Sequence, residues 1–432
     1  MENISINSSN HNGLQLHLCN TLKFKTVSIT LTMKIPLHRE LTTARALIPY
    51  ILISGSRNYS SRRLIKQKLD EMYGATLTPD VYKKGDSHII SLNIEIPADQ
   101  YINTSYSLIE KSLSLLHEIV YNPALENGVF QSSIVEQEKR SLEQRINSNY
   151  NEKMHYSNNR LIEEMFKGEQ YELPAAGRKE DIDDLNAISI YQVYEDLLQN
   201  AVFSLFIIGS FNEENVKFIV QDIFCEQFHK NYNIIIPEDR KVRKKVKVIQ
   251  DKMDVKHGNL LLGYRTFATI QDKDYESTRV ANAIFGRFPF SKLFTQLREK
   301  ESLAYFAFSQ IESNKGLMIA MAGIDFGNYE RAVNLIREQE YAMKKGDFTE
   351  DEVEQAKAML IHLFLEAYDT PLGIMDLTVQ AIDSGLSNIN NQIKRISKIS
   401  KNDVIRAVNK WELDTIYFLS GKEDDKSEIN PF

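Results

Sequence analysis

QKLDEMYGA at 67–75 and TQLREKESL at 295–303 align with each other at an offset of 228 residues. The same offset lays 90–96 on 318–324, and both of these read as strands. Farther along, VEQEK at 135–139 meets VEQAK at 353–357 at an offset of 218. One ten-residue insertion in a loop reconciles the two offsets, and loops absorb such changes easily. A short identity arises by chance. Matching order, spacing and element type together argue for an internal duplication.

The surrounding periodicities fill in each copy. Thr26–Ile35 alternates, with Val27, Ile29, Leu31, Met33 and Ile35 on one face, as a strand with a buried face does. Ser87–Ile96 repeats the pattern through Ile90, Leu92, Ile94 and Ile96. Arg63–Tyr73 has helical spacing at Leu64, Ile65, Leu69 and Met72, with Gly74 placed as a C-cap. Residues 129–167 hold no Gly or Pro and read as one long helical region. Residues 202–211 read as a buried strand. In the second copy, Gly258–Tyr264 and Gly316–Ile324 read as strands. Tyr275–Glu301 is mostly helical, broken near Gly286 and Pro289. Thr349 with Glu352 forms a capping box opening a helix through Glu366.

The predicted fold class is therefore α+β, with two similar halves that each pack a sheet against helices on one face. The halves run over 1–235 and 240–432. The linker lies between His229 and Lys247, where Pro237, Glu238 and Asp239 break the pattern. The tail from Gly421 to Phe432 is polar and expected to fray.

At 432 residues the chain suits two domains. A net charge of -7 leaves no domain-wide basic excess, which argues against nucleic acid as a partner. The basic run Arg240–Lys247 is interleaved with valines and reads as a linker entering a strand. Cys19 and Cys225 lie far apart and read as reduced thiols. Met1–Asn12 lacks an apolar signal core. The longest apolar stretches, Ala46–Ile53 and Phe203–Ile208, fall short of the roughly 20 residues that span a bilayer. These features predict a cytoplasmic protein with no membrane partner.

The search for chemistry returns little from spacing alone. No two of the nine histidines stand three or four residues apart, the spacing that places two imidazoles on one helix face for zinc. The nearest miss, His117-Glu118-Ile119-Val120-Tyr121, reads as an amphipathic helix with a surface His-Glu. No glycine-rich phosphate loop and no nucleophile elbow occurs. In SKLFTQLREKESLAYFAFS at 291–309, Arg298 and Tyr305 are seven apart, so a helical path would turn both to one side. Such a pair can hold a peptide carbonyl and its developing oxyanion. On spacing alone, an exposed arginine and a core tyrosine are commonplace.

That segment resembles the C-terminal-half signature of the pitrilysin/insulinase family of zinc peptidases, which includes mitochondrial processing peptidase. It carries Leu-Phe, Leu-Arg-Glu-Lys and Leu-Ala-Tyr nearly intact. YELPAAGRKEDI at 171–182 and AVFSLFIIGSFN at 201–212 resemble two further segments of the family. The resemblance implies that Arg298 and Tyr305 bind substrate and transition state. It also implies what is missing. The family's inverted motif, His-x-x-Glu-His, precedes a turn that survives here as Ile53-Ser54-Gly55-Ser56. Counting back, the motif positions hold Ala46, Leu47, Ile48, Pro49 and Tyr50. Both histidine ligands, at Ala46 and Tyr50, and the general base, at Pro49, are absent. Alignment through VEQEK puts the third ligand position on Arg145, a cation. The family's substrate-binding edge strand reads ATLTPDVY here, where Pro79 removes a backbone donor.

The resemblance thus implies a non-catalytic subunit with no metal of its own. Its partner would be a zinc-bearing homologue of similar length, forming a heterodimer around a peptide or protein substrate. Zinc would sit on the partner alone, and Arg298 and Tyr305 would complete its site. The chain also resembles the zinc-less bacterial members associated with 5-aminopentanol modification of elongation factor P. The alternative is a scaffold or peptide-binding protein of the same fold with no part in cleavage.

Overall fold

A computed structural model describes residues 5–102, 106–228, 245–385 and 389–422. Most of the expected linker and tail, at 229–244 and 423–432, lies outside the described residues. The chain divides into two compact units. One is Met1–Ser148 with Leu173–Ile235, and the other is Asn149–Glu172 with Ile236–Phe432. The segment 149–172, which the sequence reading left in the first half, thus clusters with the second.

The first unit holds a mixed sheet of β1 (Asn7–His11), β2 (Leu14–Asn20), β3 (Thr26–Pro36), β4 (Thr76–Lys84), β5 (Ser87–Pro97) and β8 (Val202–Gly209). Their spatial order is β1-β2-β8-β3-β5-β4. A two-residue hairpin, β6 (Leu125–Glu126) and β7 (Val129–Phe130), stands apart. The helices are α1 (Thr42–Leu52), α2 (Arg62–Glu71), α3 (Leu108–Tyr121), α4 (Ser132–Asn151), α6 (Ala187–Asn200) and α7 (Glu213–Ile223). Val27, Ile29, Leu31, Met33 and Ile35 of β3 are all buried in one core with Ile90, Leu92, Ile94 and Ile96 of β5. Burying each such side chain contributes about 1.5–3 kcal/mol. The opposite face is polar, with Asn93 donating to Ser28 Oγ at 2.8 Å and to Thr30 Oγ1 at 2.6 Å.

The second unit's sheet comprises β9 (Lys247–Met253), β10 (Gly258–Arg265), β11 (Ala304–Glu312), β12 (Leu317–Ile324) and β13 (Glu412–Gly421), in the order β11-β12-β10-β13-β9. Its helices are α5 (Lys153–Met165), α8 (Tyr275–Asn282), α9 (Tyr329–Lys345), α10 (Glu350–Ala367), α11 (Pro371–Asp383), α12 (Ile389–Ser397) and α13 (Lys401–Val408).

The duplication is visible strand by strand. Without β1, the order β2-β8-β3-β5-β4 repeats as β9-β13-β10-β12-β11. The β2–β8 pair is parallel, as is β9–β13. Every other neighbouring pair in the two sheets is antiparallel. The helical repeat is equally literal. Lys139 of VEQEK reaches Glu136 at 3.1 Å and the Leu185 carbonyl at 2.8 Å. Lys357 of VEQAK reaches Glu354 at 2.7 Å and the Ile399 carbonyl at 3.2 Å. In each unit a nearly buried ammonium clips a helix to a distant loop.

Two expectations need correction. The region 129–167 is not one helix. It is a strand of a small hairpin, then α4, then α5, which begins after Glu152 leaves helical geometry. Helices also do not lie on one face only in the second unit. There α5 covers the second face of the sheet through Leu161, Ile162 and Met165, against Leu261, Ile319, Met321 and Tyr417. Gly263 permits the approach, since a Cβ there would meet Met165 Sδ at 2.8 Å. Among the described residues, no helix is long and apolar enough to cross a membrane. Cys19 and Cys225 are free thiols.

Candidate functional site

In the first unit, α1 carries the positions where the metal motif is expected. Ala46 and Pro49 are buried, and Pro49 lies inside the helix. Proline there removes a helical N–H donor as well as offering no carboxylate. Tyr50 is half-buried, and the Arg145 guanidinium from α4 lies 3.7 Å from its ring centroid. The structure brings Tyr50 and Arg145 together as a cation–π pair. Burial raises the Tyr50 phenol, with the Arg145 charge opposing.

A second network closes this end of α1. Ser54, in the turn that follows, donates to the Tyr50 carbonyl at 2.8 Å. Arg62 donates to Ser54 Oγ and to Glu138 Oε1, each at 2.9 Å. Glu138 is nearly buried, so this carboxylate is neutralised by Arg62. Sequence reading missed this pair, because 76 residues separate Arg62 from Glu138 and no spacing rule links them. An alanine, a proline and an arginine-stacked tyrosine do not fit a zinc ion, which takes imidazole, thiolate or carboxylate ligands. Among the described residues, no group of three or more His, Cys, Asp and Glu side chains could hold a metal ion.

The near-miss at His117 is structural. His117 Nε2 contacts Glu226 Oε1 at 2.6 Å. Glu118 is not on the surface as expected. It is 9% exposed, and its Oε1 accepts the Asn58 backbone N–H at 2.8 Å.

In the second unit, the path from Arg298 to Tyr305 is not helical throughout. Arg298 lies in a π-helical segment, Phe294–Lys300, which closes with the Glu301 N–H donating to the Gln296 carbonyl at 3.0 Å. Ser302 then takes a left-handed backbone, φ 47°, and the chain turns into β11. Arg298 is exposed, with its guanidinium 5.0 Å from the Phe294 ring centroid. Arg298 and Tyr305 thus stand on consecutive elements and make no hydrogen bond to each other.

Tyr305 is not a core residue. It is 53% exposed. Ala304 pairs with Ile324 and Phe306 with Gly323, so Tyr305 is the extra residue of a β-bulge on the edge strand. Bulges re-aim a side chain and are common beside functional sites. The Tyr305 hydroxyl donates to Asp325 Oδ1 at 2.7 Å. The His257 ring stands 4.3 Å from the Tyr305 ring, and its Nδ1 lies 3.4 Å from Asp325 Oδ1. The carboxylate that accepts its proton raises the Tyr305 phenol above its ordinary range.

A family profile described as "Peptidase M16 inactive domain" matches residues 184–360. The "Probable inactive metalloprotease YmfF" of Bacillus subtilis (strain 168) is 40% identical over 416 residues, covering 96% of this chain and 97% of that protein. The chain belongs to the M16 peptidase family. It is an inactive homologue within it, in keeping with Ala46, Pro49 and Tyr50 at the positions where the metal motif is expected. A conserved protein from Enterococcus faecalis V583 has the same fold, with a TM-score of 0.89 at 26% identity over 98% of this chain and all of that one. A protease from Helicobacter pylori follows, with a TM-score of 0.79 at 16% identity over 96% and 99% of the two chains. The fold is therefore kept, α1 included, while α1 carries no metal-ligand side chain at the positions where the motif is expected.

Proposed function

We propose that this inactive M16 homologue is the non-catalytic half of a two-chain peptidase-like protein. It would supply Arg298 and Tyr305 to a peptide held against a zinc-bearing homologue of similar length. The observation that carries the reading is the contrast between the two units. In the first, the metal-helix positions are filled by buried apolar side chains and an Arg–Tyr stack. In the second, an exposed tyrosine is lifted out of an edge strand by a bulge, just past an exposed arginine. A half-exposed aromatic on a bulge contributes little to a core and stands open to a ligand.

The chemistry follows from the residues. The peptide carbonyl attacked at the partner's metal gains negative charge. Tyr305 offers a hydroxyl to that charge as it forms, a stabilisation that the neutral substrate does not receive. Arg298 brings a planar fork that fits a carbonyl or carboxylate. Neither residue activates water, so this chain alone would not cleave. The zinc would be the partner's. Co-expression with a His-x-x-Glu-His homologue from the same genome, followed by size exclusion and a peptidase assay, tests the reading. Co-elution with activity supports it. Separate elution at micromolar concentration contradicts it and favours a scaffold protein of the same fold.

A further inference from the structure

We infer that Asp325 and His257 are positioning residues for Tyr305, fixing its ring and committing its hydroxyl proton to a carboxylate. The three side chains come from one end of the sheet. His257 immediately precedes β10, Asp325 immediately follows β12, and Tyr305 sits in the bulge near the start of β11. Gly258 and Ala304 both pair with Ile324, so the register of three adjacent strands places the cluster. The ring is held on one side by His257, at 4.3 Å between centroids, and its hydroxyl is held by Asp325 at 2.7 Å. All three are solvent-accessible, with side-chain exposures of 52% for His257 and 62% for Asp325. Exposed side chains do not ordinarily share one arrangement, because holding them costs rotamer freedom.

The commitment of the proton has a chemical consequence that deepens the proposed function and rests on it. A phenol has one proton to donate. A neutral peptide carbonyl is a weaker acceptor than a carboxylate and does not draw that proton from Asp325. An oxygen that acquires full negative charge does, because an alkoxide-like oxygen is more basic than a carboxylate and makes the stronger charge-assisted bond. Asp325 and His257 thereby hold the Tyr305 hydroxyl in one orientation, so the donor is already placed when an oxyanion forms, a pre-organisation that the substitution Asp325→Asn would loosen.

The test uses the full chain alone, grown with 13Cζ-tyrosine. The Tyr305 resonance is assigned by its loss in Tyr305→Phe. Its ionisation is expected above the ordinary tyrosine range in the wild type, and back toward that range in Asp325→Asn. His257→Phe, which keeps a stacking ring, is expected to leave the Tyr305 shift near wild type, whereas His257→Ala moves it. Identical titrations in wild type and Asp325→Asn would overturn the inference whatever the partner does. A second readout uses the reconstituted pair. There Asp325→Asn is expected to lower kcat without raising KM. A matched rise in KM would assign Asp325 to simple substrate binding and overturn its positioning role. If the pair cleaves nothing while the titrations behave as expected, the proposed function fails and the positioning assignment stands.

Discussion

The guanidinium of Arg145 lies 3.7 Å from the centroid of the Tyr50 ring, so a protein cation stands against a residue at which the sequence resemblance places a metal ligand. The end of α1 is held by this internal cation–π pair, with Ser54, Arg62 and Glu138 closing the turn beyond it.

Restoring the motif residues alone should not restore metal. We expect Ala46→His with Pro49→Glu and Tyr50→His to remain without stoichiometric zinc while Arg145 is present, as measured by elemental analysis after dialysis. Ala46 is 1% exposed, and overpacking such a position costs about 1–3 kcal/mol. The triple variant should therefore also unfold at lower urea. One tightly held zinc per chain would show that Arg145 does not block the site.

The repeated lysine clips give matched stability predictions. Lys139→Met leaves the Leu185 carbonyl without its ammonium donor, and Lys357→Met does the same to Ile399. Each should cost about 1–3 kcal/mol, the penalty for a buried polar group left unsatisfied. Urea unfolding of the two variants checks it. Two unchanged midpoints would mean the clips are incidental.

Acid should weaken the first unit through two buried imidazoles. Burial lowers His17 to about 4 and His88 to about 3. An unfolded histidine titrates near 6.5, so the unfolded state binds more protons below that value. Stability is thus full above about pH 6.5 and falls as pH drops toward 4 for His17 and 3 for His88. The slope is up to about 1.4 kcal/mol per pH unit for each group. Urea midpoints from pH 7.5 to 4.5 should decline, and less steeply in His17→Gln. Equal slopes in the two proteins would contradict this assignment.

Much of this was legible in the sequence, and the parts that were not share a cause. The alternation at 26–35 and 87–96 sufficed for β3 and β5, because burial periodicity is local, and the pair VEQEK/VEQAK sufficed for the duplication. The break between α4 and α5 was not legible. Residues 129–167 are helix-compatible throughout, and only tertiary packing assigns α5 to the second sheet. Likewise, seven-residue spacing suggested a helical path to Tyr305, but the left-handed Ser302 and the bulge end it. Asp325 and His257 were invisible beside Tyr305, since strand register alone brings them there.

Turnover by the reconstituted pair with Tyr305→Phe tests the central claim most directly. The substitution keeps the ring and removes only the hydroxyl, so folding and assembly should persist, with an interface above about 1,200 Å² in total. If Tyr305 donates to the developing oxyanion, turnover should fall by about 10²- to 10³-fold with little change in peptide binding. Arg298→Lys, which loses the planar fork, should be impaired as well. Wild-type turnover in Tyr305→Phe would contradict the composite site and leave the chain a scaffold of the M16 fold.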